Sequence, residues 1–246
     1  MFSLQNITQL LLSACAVLLA LSIHEAAHAL IAYKLGDPTA KYMGRLSINP
    51  IKHIDPIGAL FMLLFHFGWA KPVPIDPRYF KNPKLGFAIS ALAGPLANII
   101  MGFLGAFLYL ISYKFLPATD LYALNNLFAS IQLFLFIFCN INIGLGVFNL
   151  IPAPPFDGSR IVFALLPDRL YFKVMKYERI IYWCVICWLF FGTYVYAALM
   201  HLPFIAQTPV LASFAKVFAL SEIISDAIYN LTEIVFKFWR LLPFLR

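Results

Sequence analysis

Long apolar runs separated by short polar loops make up most of the chain. The runs lie at about 4–34, 56–69, 85–113, 126–151, 179–201 and 208–236. A helix that spans a bilayer needs about 20 apolar residues, and most of these runs reach that length. The pattern therefore predicts an all-α polytopic membrane protein with about five or six membrane helices.

Two of the runs leave the number of crossings open. The run at 56–69 is short for a span, so it is a re-entrant, shallow or tilted short helix. In the run at 208–236, Glu222, Asp226 and Glu233 fall on one helical face, which predicts an amphipathic helix. Such a helix lies in the interface or crosses with its acidic face packed against other helices, and the basic residues after it favour crossing.

Composition excludes an ordinary soluble domain. Hydrophobic residues make up 62% of the 246 residues and charged residues only 12%, and the mean hydropathy is +0.84. All four cysteines fall inside apolar runs, where a thiol behaves as a small hydrophobic group. We therefore expect no disulfide framework, and we give the C-x-x-C pair Cys184 and Cys187 no redox role.

The basic residues predict the topology. If 56–69 does not cross, the loops at 34–84 and 159–179 share one side and carry eight and five of the 18 Lys and Arg residues. An excess of basic residues marks cytoplasmic loops, so the N-terminus is predicted outside. The net charge of +7 then reflects topology and contact with anionic lipid, and nothing indicates nucleic-acid binding. A short chain without a cleaved signal fits a prokaryotic plasma membrane.

The first apolar run contains the segment His24-Glu25-Ala26-Ala27-His28, with no other charged residue before Lys34. On a helix, residues four apart share a face, so both histidines can bind one Zn²⁺ while Glu25 reaches a metal-activated water. The five-letter pattern also occurs by chance in unrelated proteins. A charge at bilayer depth costs about 2.5–3.5 kcal/mol, however, and this cost favours a bound metal that draws the three groups together.

A site with two histidines needs a third protein ligand, and Asp157 is the candidate. It follows a long apolar run that is broken by Pro152, Pro154 and Pro155. Irregular backbone at membrane depth is stable only when it is buried in protein or faces a water-filled cavity, where an aspartate can turn toward the bundle. The alternative is an ordinary helix stop with an Asx-type turn at Gly158.

These segments together resemble the site-2 proteases, a family of intramembrane zinc metallopeptidases. The matching positions are His24, Glu25 and His28, then Asn149, Pro152, Pro154, Asp157 and Gly158. Further family-like stretches lie at 49–50, 53–58, 68–74 and 94–98, in the family's order. The match covers about residues 20–160 and is similar to the compact branch that lacks a PDZ or nucleotide-sensing domain. Ser159 and Pro155 depart from the common pattern without removing a ligand.

The resemblance implies that His24, His28 and Asp157 hold one Zn²⁺ per chain and that Glu25 is the catalytic base. It also suggests that Asn149 and Asn98 contact the substrate or the oxyanion. Asn149 has an equal alternative, an amide that ties the broken helix to its neighbours. Asn98 lies in an apolar helix, where its amide needs an interhelical partner. We expect His53 to be an interfacial loop residue and not a ligand.

Residues 39–49 are the predicted route of substrate access. The resemblance implies a membrane-associated β-hairpin after the first helix, and its edge could pair with an unwound substrate strand. The alternative is a cytoplasmic loop without regular structure.

The chain is thus predicted to be a single membrane-embedded metalloprotease domain over 1–246, with a catalytic core at about 1–165 and C-terminal helices at about 166–246. Its expected activity is cleavage of the transmembrane segment of single-span membrane proteins within the bilayer, with the active site in the cytoplasmic half. A zinc-binding scaffold without turnover is the alternative, and the retained Glu25 argues against it. A transporter would carry charged residues along several helices, whereas here they form one cluster.

Overall fold

The computed structural model describes residues 4–58, 70–116 and 119–245. Its α-helices are α1 (Leu4–Lys34), α2 (Thr39–Tyr42), α3 (Pro83–Phe115), α4 (Tyr122–Asn149), α5 (Asp157–Leu165), α6 (Asp168–Met200), α7 (Pro203–Ala206), α8 (Pro209–Ala215) and α9 (Leu220–Trp239). Short 3₁₀ turns lie at Pro50–Lys52, Pro77–Tyr79, Lys216–Phe218 and Pro243–Leu245.

Within the described residues, four helices are long and apolar enough to cross a membrane. They are Ile7–Lys34 of α1, and α3, α4 and α6. The membrane class is thereby supported, but the count is four where the sequence predicts about five or six. Most of the run at 56–69 lies outside the described residues. The run at 208–236 divides into α8, a 3₁₀ turn and α9, and the last of these helices carries too many charged residues to count as a span.

The expected β-hairpin after the first helix is wrong for residues 39–49. This segment contains α2 followed by turns. Asp37 Oδ1 accepts a hydrogen bond of 2.9 Å from the Thr39 backbone N–H, which starts a helical turn. Gly44 then adopts a positive φ of 66° and ends it, because a left-handed residue cannot continue a helix.

Helices α1, α3 and α4 form the central bundle, and glycines let α3 and α4 approach closely. A Cβ on Gly102 would lie 2.6 Å from Ile143 Cγ1, and one on Gly146 would lie 2.6 Å from Ile99 Cγ1. Small residues at such contacts are typical of membrane helix pairs, since they allow backbones to pack directly. The glycines therefore fix the spacing of the two helices that surround the polar cluster described below.

Helix α9 packs on this bundle through its apolar face. Val235 and Phe236 are buried against a core formed with residues of α3 and α4. Its acidic residues Glu222 and Asp226 are exposed, so the expected burial of the acidic face is wrong. Burial of the apolar stripe needs no desolvation of charge, whereas burial of carboxylates without partners would cost several kcal/mol.

Candidate metal centre

Three potential ligand atoms converge where α1, α3 and α5 meet. The Nε2 atoms of His24 and His28 lie 3.0 Å apart. Asp157 Oδ2 lies 3.1 Å from the first and 3.3 Å from the second. Ligands that bind zinc tetrahedrally at 2.0–2.1 Å are about 3.3–3.4 Å from one another. The three side chains thus form a triangle close to the size that Zn²⁺ requires.

Hydrogen bonds on the far side of each ring decide which histidine nitrogen is free. His24 Nδ1 donates to Asn98 Oδ1 at 2.6 Å, and His28 Nδ1 donates to the Ser90 carbonyl at 2.7 Å. Both oxygens can only accept, so Nδ1 carries the ring proton and Nε2 carries the lone pair. Two lone pairs and a carboxylate oxygen therefore face one another, an arrangement that a bound metal ion would stabilise.

Burial supports the same conclusion. The two histidines are only 5% and 6% exposed. Asp157 Oδ2 is buried and receives no hydrogen bond of normal geometry. A buried carboxylate oxygen without a partner is costly, and a metal ion removes that cost. The residues present therefore fit a zinc ion.

The local backbone explains how Asp157 reaches α1. Residues 151–156 between α4 and α5 are irregular, and the Pro154–Pro155 peptide bond is cis. A Cβ on Gly158 would lie 2.5 Å from the Ile151 carbonyl oxygen, so only glycine fits this reversal. Asp157 is the first residue of α5, which starts beside the two histidines.

Asn98 belongs to a buried network that orients His24. Its Nδ2 donates to the Ala20 carbonyl at 3.1 Å and to Asn142 Oδ1 at 2.9 Å, which turns Oδ1 toward the histidine. Asn142 Nδ2 in turn donates to the Phe138 carbonyl at 2.8 Å. Asn98 thus has the interhelical partners that its position requires, and its amide faces His24. Such outer partners fix the tautomer and the orientation of a ligand.

Asn142 was not among the residues singled out in the sequence. The available signal was its position in a long apolar helix, seven residues before Asn149 and so on nearly the same face. Asn149 itself donates from Nδ2 to the Leu145 carbonyl at 3.0 Å within α4. Its contact with a substrate or an oxyanion stays a prediction.

Glu25 is half-buried next to His24, and its Oε2 accepts a hydrogen bond of 2.7 Å from the Val73 backbone N–H. His53 is only 2% exposed, and its Nε2 donates to the Ser47 carbonyl at 2.6 Å. His53 lies in a loop that closes around its ring. Its expected position at the membrane interface stays a prediction. Among the described residues, His53 is not part of the metal-ligand cluster.

Two histidines and an adjacent glutamate on the long apolar helix α1, with an aspartate at the start of the short helix α5, define the class of the protein as a membrane metallohydrolase. The family model described as peptidase family M50 matches residues 12–192. A Bacillus subtilis (strain 168) protein named "Putative zinc metalloprotease YwhC" is 40% identical over 162 residues, which are 66% of this chain and 72% of that protein. No solved structure matches the chain significantly.

The chain therefore belongs to peptidase family M50, the site-2 protease family. The resemblance seen in the sequence is thereby confirmed, and the protein is a membrane zinc metalloprotease.

Proposed function

We propose that this protein is an intramembrane endopeptidase that cleaves the transmembrane segment of single-span membrane proteins. The observation that carries the proposal is the convergence of His24, His28 and Asp157 next to Glu25, at a helix apolar enough to cross a membrane. A peptidase site on a helix that crosses the membrane would lie at the depth of a bond in a neighbouring membrane helix. Family membership supports the peptidase chemistry.

His24, His28 and Asp157 would hold one Zn²⁺ per chain. When bound, Zn²⁺ would polarise the scissile carbonyl and lower the pKa of a coordinated water toward about 7. Glu25 takes a proton from the attacking water and delivers it to the leaving amine, so that one carboxylate serves as base and then as acid. Asn98 and Ser90 keep the two rings oriented throughout.

The proposed topology places the N-terminus outside and the active site in the cytoplasmic half of a prokaryotic plasma membrane. The cut would then fall near the cytoplasmic end of the substrate span. A helical substrate hides its carbonyls in its own hydrogen bonds, so Gly, Asn or Pro near the cut should accelerate cleavage. The bilayer and the single-span substrate are the partners that this reaction needs.

Glu25→Gln tests the proposal against the zinc-binding scaffold, because ligands suffice for binding but hydrolysis needs the base. The variant keeps the size and polarity of the side chain, so zinc content and unfolding temperature should match wild type. Proteolysis of a reconstituted single-span substrate should fall by about 10²- to 10⁴-fold. The assay measures product in liposomes, and zinc is measured on the same preparation. Equal cleavage by the variant and wild type would reject the peptidase mechanism.

A further inference from the structure

An extended segment of the chain lies against the catalytic glutamate. Residues 70–76, here called the strap, contain neither helix nor strand beyond one antiparallel bridge between Ile54 and Ala70. The Lys71 N–H donates to the His53 carbonyl at 2.8 Å, which fixes the beginning of the strap. At its end, the Asp76 N–H donates to Asp37 Oδ2 at 2.8 Å. Asp37 is fully buried, so this second anchor is rigid.

Between these anchors, the strap donates one hydrogen bond to Glu25. The donor is the Val73 backbone N–H, 2.7 Å from Oε2. Val73 lies between Pro72 and Pro74, which have no N–H, so it is the sole backbone donor of this tripeptide. A hydrogen bond to a carboxylate is stronger than one between neutral groups and orients the acceptor. Among the described residues, the hydrogen bond that holds the Glu25 carboxylate thus comes from the strap.

Arg45 holds the part of the strap just before Val73. Its guanidinium donates from Nη2 to the Lys71 carbonyl and, at 3.4 Å, to the Pro72 carbonyl. Arg45 is only 7% exposed, and its Nε is buried without a hydrogen-bond partner. Within the described part of the chain, its hydrogen bonds go to these two main-chain oxygens. A buried guanidinium with such partners is costly for stability alone, which points to a functional reason for its position.

We propose that Arg45 is a positioning residue for peptide hydrolysis, which fixes the strap so that the Val73 N–H orients the Glu25 carboxylate toward the metal centre. The inference rests on the proposed peptidase function. It assigns a role to a residue 20 positions after Glu25. In the described hydrogen bonds, Arg45 makes no contact with the candidate metal ligands.

The first test compares two variants at position 73 in the full-length, zinc-loaded protein. Val73→Ala retains the N–H and measures the contribution of the side chain alone. Val73→Pro also removes the N–H. Relative to Val73→Ala, it should lower kcat by about 10- to 100-fold, the loss expected for one hydrogen bond to a charged group. KM for the single-span substrate and zinc content should be the same in the two variants.

The second test is a double-mutant cycle between Arg45 and Val73. Arg45→Met keeps the side-chain length but removes the donors, so kcat should fall by a similar factor. Arg45→Lys restores a donor and should recover part of the loss. If Arg45 acts through the Val73 N–H, then Arg45→Met combined with Val73→Pro should be no slower than Val73→Pro alone. A merely structural arginine would give additive losses.

Several outcomes overturn the proposal. Wild-type kcat in Arg45→Met, equal kcat in the two Val73 variants, or additive losses in the cycle would each do so. If Val73→Pro lowers the unfolding temperature or loses zinc, the proposal is tested instead by comparing kcat of Arg45→Met with kcat of Arg45→Lys. Both substitutions lie outside the strap. Equal kcat in those two variants would then overturn it. Loss of activity in Glu25→Gln with wild-type behaviour of the Arg45 variants would reject this inference and leave the proposed function standing.

Discussion

At the scale of single residues, Asn98 shows how a buried amide selects which nitrogen of a histidine faces the candidate metal centre. Its oxygen accepts the Nδ1 proton of His24, so Nε2 is directed at His28 and Asp157. The oxygen is itself oriented because Nδ2 is engaged by Ala20 and Asn142. A side chain on α4 thereby influences a ligand on α1 without touching it.

Asn98→Leu should therefore weaken zinc binding by about 10- to 100-fold, the range found for residues that orient metal ligands. Asn142→Leu should have a smaller effect in the same direction, because it acts through Asn98. Asn140→Leu, on the same helix, is the control, since Asn140 bonds only the Phe136 carbonyl of its own helix among the described contacts. Zinc affinity is measured by competition with a chelator. Unchanged affinity in Asn98→Leu would show that the network does not orient His24.

At the scale of elements, the separation of α1 and α3 depends on Gly94. A Cβ at this position would lie 2.6 Å from His24 Cε1 and even closer to His28 Nε2. These rings are held by hydrogen bonds on their far sides, so they have little freedom to move away. The glycine in the sequence Gly94-Pro95-Leu96-Ala97-Asn98 thus provides the space that the histidines occupy.

Gly94→Ala should displace the rings, weaken zinc binding and destabilise the fold by about 1–3 kcal/mol, the usual cost of overpacking. Gly144→Ala in α4 is the matched control. Its Cβ would meet only Ile228 Cδ1 at 3.8 Å, an ordinary contact, and alanine favours a helix over glycine by about 1 kcal/mol. Thermal unfolding in detergent and zinc content are measured for both variants. Full zinc content in Gly94→Ala would contradict the steric argument.

At the scale of the whole molecule, an ion pair places two helix starts at the same end of the bundle. Lys84 Nζ, near the start of α3, lies 3.3 Å from Asp168 Oδ1 at the start of α6 and also contacts the Leu166 carbonyl. The segments 34–84 and 159–179 around these helix starts carry 13 of the 18 Lys and Arg residues, eight in the first and five in the second. The positive-inside rule then assigns this end to the cytoplasm.

Cysteine labelling tests this assignment. In a variant without the four native cysteines, Arg78→Cys and Arg169→Cys should respond alike to a membrane-impermeant thiol reagent, since both positions are exposed at the predicted cytoplasmic end. Asp120→Cys, in the loop between α3 and α4, should respond in the opposite way. Opposite labelling of positions 78 and 169 would show that α3 and α4 do not both cross the membrane. Lys52→Cys, which precedes 56–69 and is exposed, should also respond like Arg78→Cys. Opposite labelling of positions 52 and 78 would show that 56–69 crosses the membrane and that the predicted topology is wrong.

How far the sequence predicts the site depends on the distance along the chain between the residues involved. His24, Glu25 and His28 lie within about one helical turn, so the helical repeat alone places them together. Asp157 was found by the chemical need for a third ligand and by the proline-rich break before it. Arg45, Val73 and Asn142 were missed because their roles depend on contacts with distant segments. The bond from Val73 to Glu25, for example, joins residues 48 positions apart.

The fold divides in a similar way. Both lipid and an apolar core require the backbone of a long apolar run to make its hydrogen bonds within a helix. The helices α1, α3, α4 and α6 were therefore predictable from composition. At 39–49 a helical turn stands where a hairpin was expected, because Asp37 accepts a hydrogen bond from the Thr39 N–H at its start and Gly44 ends it with a positive φ. The bundle decided which face of α9 packs, because it offers an apolar surface to Val235 and Phe236.

The sequence by itself thus determined the membrane class, the family and the candidates for the metal ligands and the catalytic base, because each depends on local periodicity, on solvent or on side-chain chemistry. The tertiary structure alone decided which nitrogen of each histidine is free, how Glu25 is held and which glycine leaves room for the rings. These features need atoms from separate helices and loops within about 3 Å of one another, and only packing of the whole chain sets such distances.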